Sequence, residues 1–509
     1  MTDLQLDTLE ARGLIRIATY QPELEYLFRH ALLQDTAYES LLKQERRALH
    51  QLVGQTMEQL YPERLGELAA VLAMHFEQAG EKDKAIEYLV AAASFAVDRN
   101  ALTEGFELYG RAAALLPPPS PDDDADALRR RIRILHGRAR AGFTFVSEAE
   151  SISILEPVIA DAAKLGDLRI EADVNLSYAL LRQFRGENPN TSPELRRALD
   201  RISEIAAELD DTLIAALPES IVGQFRVGTG DLRGGVETLE KTAPQLEKKH
   251  DFVGSSFAMV SLAMGLARLG EFDRAEDAAR RARDLADKGD LIAKLDAMIG
   301  ESMVRSIRGD LDGAVPIARQ CTDMAEQTGA VACVVVSNYV LGDTFMRQGR
   351  FGDAKIVLER SNEVAGAIDE RRFHPSVAAW LRSNAASLGE GIHSAPSFEE
   401  ALRTARTAGD RWNEASVLWK RAETEAKRDE SERNVDRMLA DYAAADSLFA
   451  QMEARPFRAR TLRGWGEALL ALGRHDEAHD KLRAAVDLFN ELGLTREAAE
   501  ATAAFSATS

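Results

Sequence analysis

A short turn motif recurs about every forty residues along this chain. Each copy contains a glycine, then a charged residue, and then a small residue five places after the glycine. The copies are TGDLRGGVETL (229–239), LGEFDRAEDAA (269–279), RGDLDGAVPIA (308–318) and QGRFGDAKIVL (348–358). Their glycines, Gly230, Gly270, Gly309 and Gly349, are 40, 39 and 40 residues apart. Such a period indicates stacked repeats in which each unit buries its apolar face against its neighbours.

A second motif alternates with the first. It reads KLGD (164–167), KKHD (248–251), DKGD (287–290), QTGA (327–330) and TAGD (407–410). Each repeat therefore has two turns and two helices. Glycine adopts the left-handed conformation that ends a helix, and a following Asp or Ser accepts backbone N–H bonds at the start of the next one.

The residue five places after each turn glycine is always small. It is Gly235, Ala275, Ala314 or Ala354 in the four copies, and Ala85 and Ala478 hold the same place after Gly80 and Gly473. A small residue at this position allows two helices to approach closely. Because Ala85 and Ala478 lie near the two ends of the chain, this small residue extends the predicted repeat array to both ends.

Composition excludes several classes of protein. A chain of 509 residues is too long for one compact core. Its net charge of -20 argues against general nucleic-acid binding, which requires an excess of Lys and Arg. No basic-then-apolar leader and no apolar run of roughly 20 residues is present, so we expect a cytoplasmic protein without membrane contact. The two cysteines, Cys321 and Cys333, are expected to be small buried apolar residues in a reducing compartment.

Three segments interrupt the repeat pattern. PPPSPDDDAD (117–126) cannot continue a helix and is interpreted as a linker. RGENPNTSPEL (185–195) is a longer turn, and LGEGIHSAPSFEEAL (388–402) shortens the second helix of its pair. Residues 1–60 predict a helix ended by Gly13, two short extended pieces, and one further helix, in the manner of a winged-helix remnant.

The repeats resemble the tetratricopeptide family. That family prefers a large apolar and then a small residue eight and seven places before the turn glycine. The pairs here are Val222–Gly223, Leu262–Ala263, Leu341–Gly342 and Trp465–Gly466, with departures at Glu301–Ser302 and Leu381–Arg382. The resemblance covers roughly residues 65–509. It implies an all-α, right-handed superhelical solenoid of about ten helix pairs.

The string EYLFRHALLQDTAYESLLKQERRALH (25–50) resembles the junction after the ATPase module of bacterial signal-transduction ATPases of the AAA/STAND type. These ATPases have tetratricopeptide tails, and many are fused to class III nucleotide cyclases or transcription-regulator domains. The matching positions are Phe28, His30, Leu32, Tyr38, Leu41, Arg47 and His50. The family's phosphate loop, G-x-x-x-x-G-K-[ST], does not occur in this sequence. Either the chain is a shortened relative, or the natural polypeptide begins upstream with an ATPase or cyclase domain.

The sequence predicts the following domains: residues 1–62 as the winged-helix-like remnant and connecting helix, 63–116 as the first repeats, 117–126 as the linker, and 127–509 as the main solenoid.

No residue pattern supports catalysis. His475 and His479 are four residues apart, but Asp476 stands where the metalloprotease motif requires Glu, and the segment coincides with a repeat turn. The cluster GTGDLRGG (228–235) has Arg233 where a dinucleotide loop requires Gly. We therefore expect a protein that is not an enzyme, with no cofactor and no metal.

The resemblance to tetratricopeptide proteins implies a binding surface on the concave face, which the first helix of each pair lines. Counted back from the turn glycines, the family's groove positions are Gln224, Met264, Arg268, Met303, Tyr339, Asp343 and Arg347. We expect a non-catalytic scaffold or sensor module of a bacterial signalling or transcription regulator that binds a protein or peptide there. Two alternatives are a small-molecule effector receptor and the C-terminal part of a larger ATPase or cyclase.

Overall fold

The computed structural model describes residues 3–19, 25–143, 145–184, 187–189, 192–248, 252–368 and 374–506. Parts of the predicted turns 248–251 and 185–195 lie outside these residues. The chain divides into two compact units. The first comprises 1–99 and 104–121, and the second comprises 100–103 and 122–509.

The first unit begins with a helix and a hairpin. Helix α1 (Asp3–Ala11) is followed by Gly13 at a φ of 72°. Strands β1 (Ile15–Thr19) and β2 (Glu25–Phe28) then pair in antiparallel fashion, with Ile15 opposite Phe28. This is the order of elements that the sequence predicts. The interpretation of the segment as a winged-helix remnant stays a prediction.

The single helix predicted after the hairpin is in fact two helices, α2 (Ala31–Ser40) and α3 (Lys43–Leu60). Leu41 and Leu42 adopt extended conformations between them. The Leu42 N–H donates to Glu45 at 2.9 Å, so a side chain in the first turn of α3 satisfies a backbone donor that the break frees. The apolar periodicity continues across the break, which is why it was not visible in the sequence.

Three more helices complete the first unit: α4 (Leu65–Ala79), α5 (Lys82–Asp98) and α6 (Leu102–Leu115). Gly80 ends α4 at a φ of 83°, and Ala85 is fully buried five residues later. Phe76 of α4 stacks on Tyr88 of α5 with ring centroids 5.6 Å apart. The turn motif therefore builds a helix pair here as the sequence predicts.

The second unit contains only helices among its described residues. They are α7 (Ala125–Gly142), α8 (Glu148–Leu165), α9 (Leu168–Phe184), α10 (Pro193–Leu209), α11 (Thr212–Thr229), α12 (Leu232–Lys248), α13 (Phe252–Leu269), α14 (Phe272–Ala286), α15 (Leu291–Arg308), α16 (Leu311–Thr328), α17 (Val331–Arg347), α18 (Phe351–Ala367), α19 (His374–Leu388), α20 (Phe398–Thr407), α21 (Arg411–Ala426), α22 (Val435–Gln451), α23 (Arg455–Ala471), α24 (His475–Glu491) and α25 (Thr495–Ser506). Successive helices from α7 to α24 pack as pairs, and the pairs stack. The predicted all-α tetratricopeptide-like solenoid is confirmed.

The turn chemistry follows the sequence pattern. Gly230, Gly270, Gly309 and Gly349 have φ values of 107°, 86°, 94° and 74°. At the Gly309 turn, Asp310 accepts the N–H of Gly313 at 3.0 Å and so caps α16. The small residues Ala275, Ala314, Ala354 and Ala478 are fully buried.

Close helix contact also depends on the small residue seven places before the turn glycine. Gly342 of α17 faces Leu358 of α18, and a Cβ atom at Gly342 would overlap Leu358 Cγ and Cδ2. Leu358 is fully buried and so has no free space to move into.

We expect Gly342→Ala to lower the free energy of unfolding by about 1–3 kcal/mol, because an added methyl overpacks the contact between α17 and α18. Gly366→Ala is the matched control. It lies in the partner helix α18, has open space around its Cβ position, and should be neutral or stabilising by about 0.5–1 kcal/mol. Chemical denaturation of both variants would measure the difference. Equal stabilities would contradict the close-contact role of Gly342.

No helix in the described part of the chain is long and apolar enough to span a membrane.

Candidate binding site on the inner face

The seven predicted groove residues lie on four first helices of successive pairs, α11, α13, α15 and α17, which pack side by side. Gln224 is on α11, Met264 and Arg268 are on α13, Met303 is on α15, and α17 contributes Tyr339, Asp343 and Arg347. Gln224, Met264 and Arg268 are buried, and the other four are partly exposed.

Five of the seven surround one cavity of about 60 Å³, which we call the small cavity. They are Met264, Arg268, Met303, Tyr339 and Asp343. The rest of its lining includes Trp380 of α19, Trp412 of α21 and Phe457 of α23. Its volume allows roughly four or five water molecules, which is too little for a peptide. Helices much later in the chain therefore lie over the surface formed by the first helices α11, α13, α15 and α17, which we call the inner face.

Arginines from neighbouring first helices and from the distant helix α23 bond to backbone carbonyls at the C-terminal ends of the first helices. Arg268 donates to Val227 O at 2.7 Å, and Arg347 donates to Ser306 O. From α23, Arg455 donates to Leu269 O at 3.1 Å and Arg460 to Ile307 O at 2.7 Å. The last carbonyls of a helix lack intrahelical partners and attract positive charge. The arginines therefore add charged donors to these helix ends, including Ser306 O, which also accepts the N–H of Gly309 at 3.0 Å.

One buried carboxylate connects two of these arginines. Glu497 Oε1 of α25 accepts from Arg347 Nη2 at 2.8 Å and from Arg460 at 2.7 and 2.9 Å. Burial alone would raise the pKa of Glu497, but Arg460 and Arg347 outweigh it and hold this pKa below its usual range. Burial, followed by the nearby Arg460, lowers the pKa of Arg347 to about 10, so its guanidinium stays charged at neutral pH.

Aromatic side chains form the far wall of the small cavity. Trp380 packs edge-to-face on Tyr339 and on Trp419, each with ring centroids 5.8 Å apart. Its Nε1–H donates to Asp343 Oδ1 at 2.7 Å. The Arg268 guanidinium lies 3.7 Å from the centroid of the Trp412 ring.

The remaining two predicted residues lie elsewhere. Gln224 donates to Ser220 Oγ at 3.3 Å within α11 and does not line the small cavity. Arg347 lines a second, larger cavity of about 490 Å³, which we call the charged cavity. Its walls come from α17, α18, α21, α22, α23 and α25.

Most residues of the charged cavity were not among the predicted groove residues, although the sequence contains a signal for three of them. The same groove offsets counted back from Gly473 give Arg463, Glu467 and Ala471, and all three line this cavity. Lys420 of α21 and Lys427, which directly follows α21, also line it. They carry no such signal, because α21 ends at Ala426 without a turn glycine.

The other residues considered in the sequence as candidate sites make packing contacts or form turns. His479 contacts Arg483 at 3.3 Å and packs on Phe505, and no group of three potential metal ligands occurs in the described ranges. Gly230, in the GTGDLRGG segment, is the turn between α11 and α12. Cys321 and Cys333 are buried free thiols in one apolar cluster, as predicted, and burial raises the pKa of both.

His50, one of the junction positions, is linked to two residues of the first unit. Its Nε2 lies 3.0 Å from Tyr38 Oη, and its Nδ1 lies 2.9 Å from His75 Nδ1. Burial lowers the pKa of both histidines, and His50 lowers that of His75 further. The contacts connect α2, α3 and α4.

Comparison with known proteins supports the fold. No family model matches the chain. An uncharacterized protein of Rhizobium meliloti (strain 1021) is 29% identical over 123 residues, which are 24% of this chain and 12% of that protein. The chain thus matches only a small part of that relative.

Two solved structures show similar helical repeats. A Rap protein complexed with competence and sporulation factor has a TM-score of 0.53 at 11% identity and covers 73% of this chain and 99% of its own. The Rap conjugation gene regulator of plasmid pLS20 in complex with the Phr* peptide has a TM-score of 0.47 at 13% identity, over 73% of this chain and 97% of its own. At this level of identity the first likeness establishes the solenoid fold alone.

Proposed function

We propose that this chain is a non-catalytic interaction module that binds a peptide or protein segment on the inner face of its second unit. The charged cavity is the observation that carries the proposal. Its volume of about 490 Å³ falls within the range of about 300–1,000 Å³ that is typical of ligand sites. It lies on helices that hold the inner-face positions, and it contains Arg347 from the predicted set.

We further propose that the module is the sensor or scaffold part of a cytoplasmic bacterial signalling regulator of the ATPase type. The junction string at residues 25–50 supports this context. So does the exposed apolar surface of the first unit: Leu27, Phe28, Leu32, Leu42, Leu49, Leu52 and Leu60 are each 43–76% exposed. An exposed apolar set of this size is typical of a surface that packs on another domain or protein.

A small-molecule effector is the alternative function, and the small cavity favours it. Met264 and Met303, together with the aromatic wall, provide adaptable apolar contacts, and Asp343 and Arg268 provide opposite charges. A ligand there would have to move the closing helices apart or be very small. A metabolite that raises the melting temperature of the purified chain in a concentration-dependent way would support this alternative.

Site-specific photocrosslinking tests the interaction module. Ala471 lines the charged cavity and is exposed, so p-benzoyl-phenylalanine can replace it without disturbing the core. Ile356 of α18 is 68% exposed and does not line the charged cavity, which makes it the matched control position. In native lysate we expect a discrete crosslinked species from position 471 and none from position 356. Equal labelling from both positions, or none from position 471, would contradict inner-face binding.

The double variant Arg268→Glu with Arg347→Glu is unsuitable for this test. Both guanidiniums bond to backbone carbonyls inside the unit, and Arg347 also pairs with Glu497. Reversing their charge would place carboxylates against carbonyl oxygens and destabilise the fold. A loss of binding would then report unfolding and not recognition.

A further inference from the structure

The charged cavity has the opposite charge balance to the chain as a whole. Its lining contains six cationic and four anionic side chains, a formal excess of two positive charges. The whole chain carries 63 Lys and Arg against 83 Asp and Glu. The cations are Arg347, Lys420, Lys427, Arg460, Arg463 and Arg496, and the anions are Glu423, Glu467, Glu497 and Glu500.

At the Arg347 end, the positive excess is fixed by the packing. Arg347 and Arg460 share the single carboxylate of Glu497, so this group of three carries one net positive charge. The side chains of Arg460 and Glu497 are 5% and 4% exposed and cannot rearrange toward solvent.

On α21 and at its C-terminal end, two lysines lie near one carboxylate. Lys420 Nζ pairs with Glu423 at 2.9 Å and lies 4.0 Å from the centroid of the Trp419 ring. Lys427 bonds to the hydroxyl of Ser387 at 2.8 Å, a partner that does not neutralise its charge. This side of the cavity therefore contributes the second positive charge.

The opposite side is balanced and open. Arg463 pairs with Glu500 at 2.5 Å, Arg496 lies 3.6 Å from Glu500, and Glu467 lies 3.7 Å from Arg463. Arg496 and Lys427 are exposed, so an incoming group can reach them from solvent. The apolar side chains of Met346, Trp419 and Ala468 also line the cavity.

We propose that the charged cavity binds an acidic peptide segment, with two side-chain carboxylates placed against its excess positive charge and an apolar neighbour against Trp419. This inference rests on the proposed function and specifies the chemistry of the partner. Arginine and lysine recognise carboxylates through charge-assisted hydrogen bonds. A local excess of positive charge attracts an anionic segment even on a protein of opposite net charge.

Fluorescence anisotropy with peptide pools tests the proposal on the full 509-residue chain. Three fluorescein-labelled hexapeptide pools share four mixed positions and differ in two central positions, which are Asp/Glu, Asn/Gln or Lys/Arg. We expect the acidic pool to bind at least about tenfold more tightly than the other two. Lys427→Glu combined with Arg496→Glu should remove that preference, because it changes the formal excess from two positive to two negative charges.

The matched control is Lys241→Glu combined with Arg197→Glu. These side chains are 66% and 74% exposed on α12 and α10, outside the charged cavity, and their reversal changes the net charge of the chain equally. The control should retain the acidic preference. Circular dichroism of both double variants would establish that each remains folded.

The possible outcomes distinguish failure of the acidic specificity from failure of peptide binding. Tighter binding of the neutral or basic pool would overturn the acidic specificity and leave peptide binding intact. Equal loss of binding in the control variant would also overturn it, because net charge alone would then explain the preference. No binding by any pool would overturn this inference, whereas the proposed function stands or falls on the crosslink from position 471.

Discussion

We expect Glu497→Ala to lower the free energy of unfolding by about 3–5 kcal/mol. The change removes the one carboxylate that pairs with both Arg347 and Arg460 and leaves two guanidiniums whose remaining hydrogen bonds go to the uncharged groups of Ser306 and Ile307. Breaking a buried pair costs this much because the remaining charges keep their desolvation penalty without compensation. Urea denaturation would measure the loss, and hydrogen exchange should show that amides of α23 and α25 lose protection first.

Glu500→Ala is the control for this variant. Glu500 lies on the same helix, one turn later, and pairs with Arg463, but its side chain is 49% exposed. A surface pair of this kind contributes about 0–1 kcal/mol, so the control should unfold close to the parent chain. Similar stabilities for the two variants would show that the buried cluster does not hold α25 on the inner face.

The same cluster predicts a pH dependence. Because the folded-state pKa of Glu497 lies below its unfolded value, its ionised form stabilises the fold above the unfolded pKa. That contribution should disappear as pH falls through the lower, folded pKa. Denaturation midpoints of the parent chain and of Glu497→Ala should therefore converge at acid pH. A stability difference that stays constant down to pH 3 would contradict this assignment.

The local fold was predictable from sequence because its determinants are local. Gly230 and Gly309 end helices in a conformation that glycine adopts without strain, and Ala275 and Ala314 permit close helix approach. Each feature recurs at a fixed spacing, so one sequence shows the combination of turn glycine and small contact residue several times. The break at Leu41–Leu42 did not follow from such a rule, since no glycine or proline marks it.

The inner face was only partly predictable because it depends on contacts between distant repeats. The family offsets found Met264 and Asp343, which line the small cavity, but they do not indicate that residues of α19, α21 and α23 line it as well. Arg460 bonds to a carbonyl 153 residues earlier, and Glu497 pairs with a residue 150 positions before it. Repeat spacing specifies neighbours in the stack, whereas these contacts depend on how far the stack curls back on itself.

Trp380→Ala should have the second large effect, a loss of about 3–5 kcal/mol in the free energy of unfolding. Trp380 is among the largest fully buried side chains, and it fills the space between α17 and α21. Its removal would enlarge the small cavity and delete two edge-to-face contacts, each worth about 0.5–1.5 kcal/mol beyond burial. It would also leave Asp343 without the indole N–H donor.

Trp465→Ala is the matched control, because Trp465 is only partly buried and stacks on Tyr442 away from the small cavity. We expect it to cost clearly less than Trp380→Ala in the same denaturation experiment. The space left by the Trp380 side chain should accept free indole, which has the shape of the deleted ring. Indole should therefore raise the melting temperature of Trp380→Ala and leave that of Trp465→Ala unchanged. If indole stabilises neither variant while Trp380→Ala remains folded, the surrounding helices have collapsed into the space. The inner face would then be adaptable, which would favour a site that opens for its ligand.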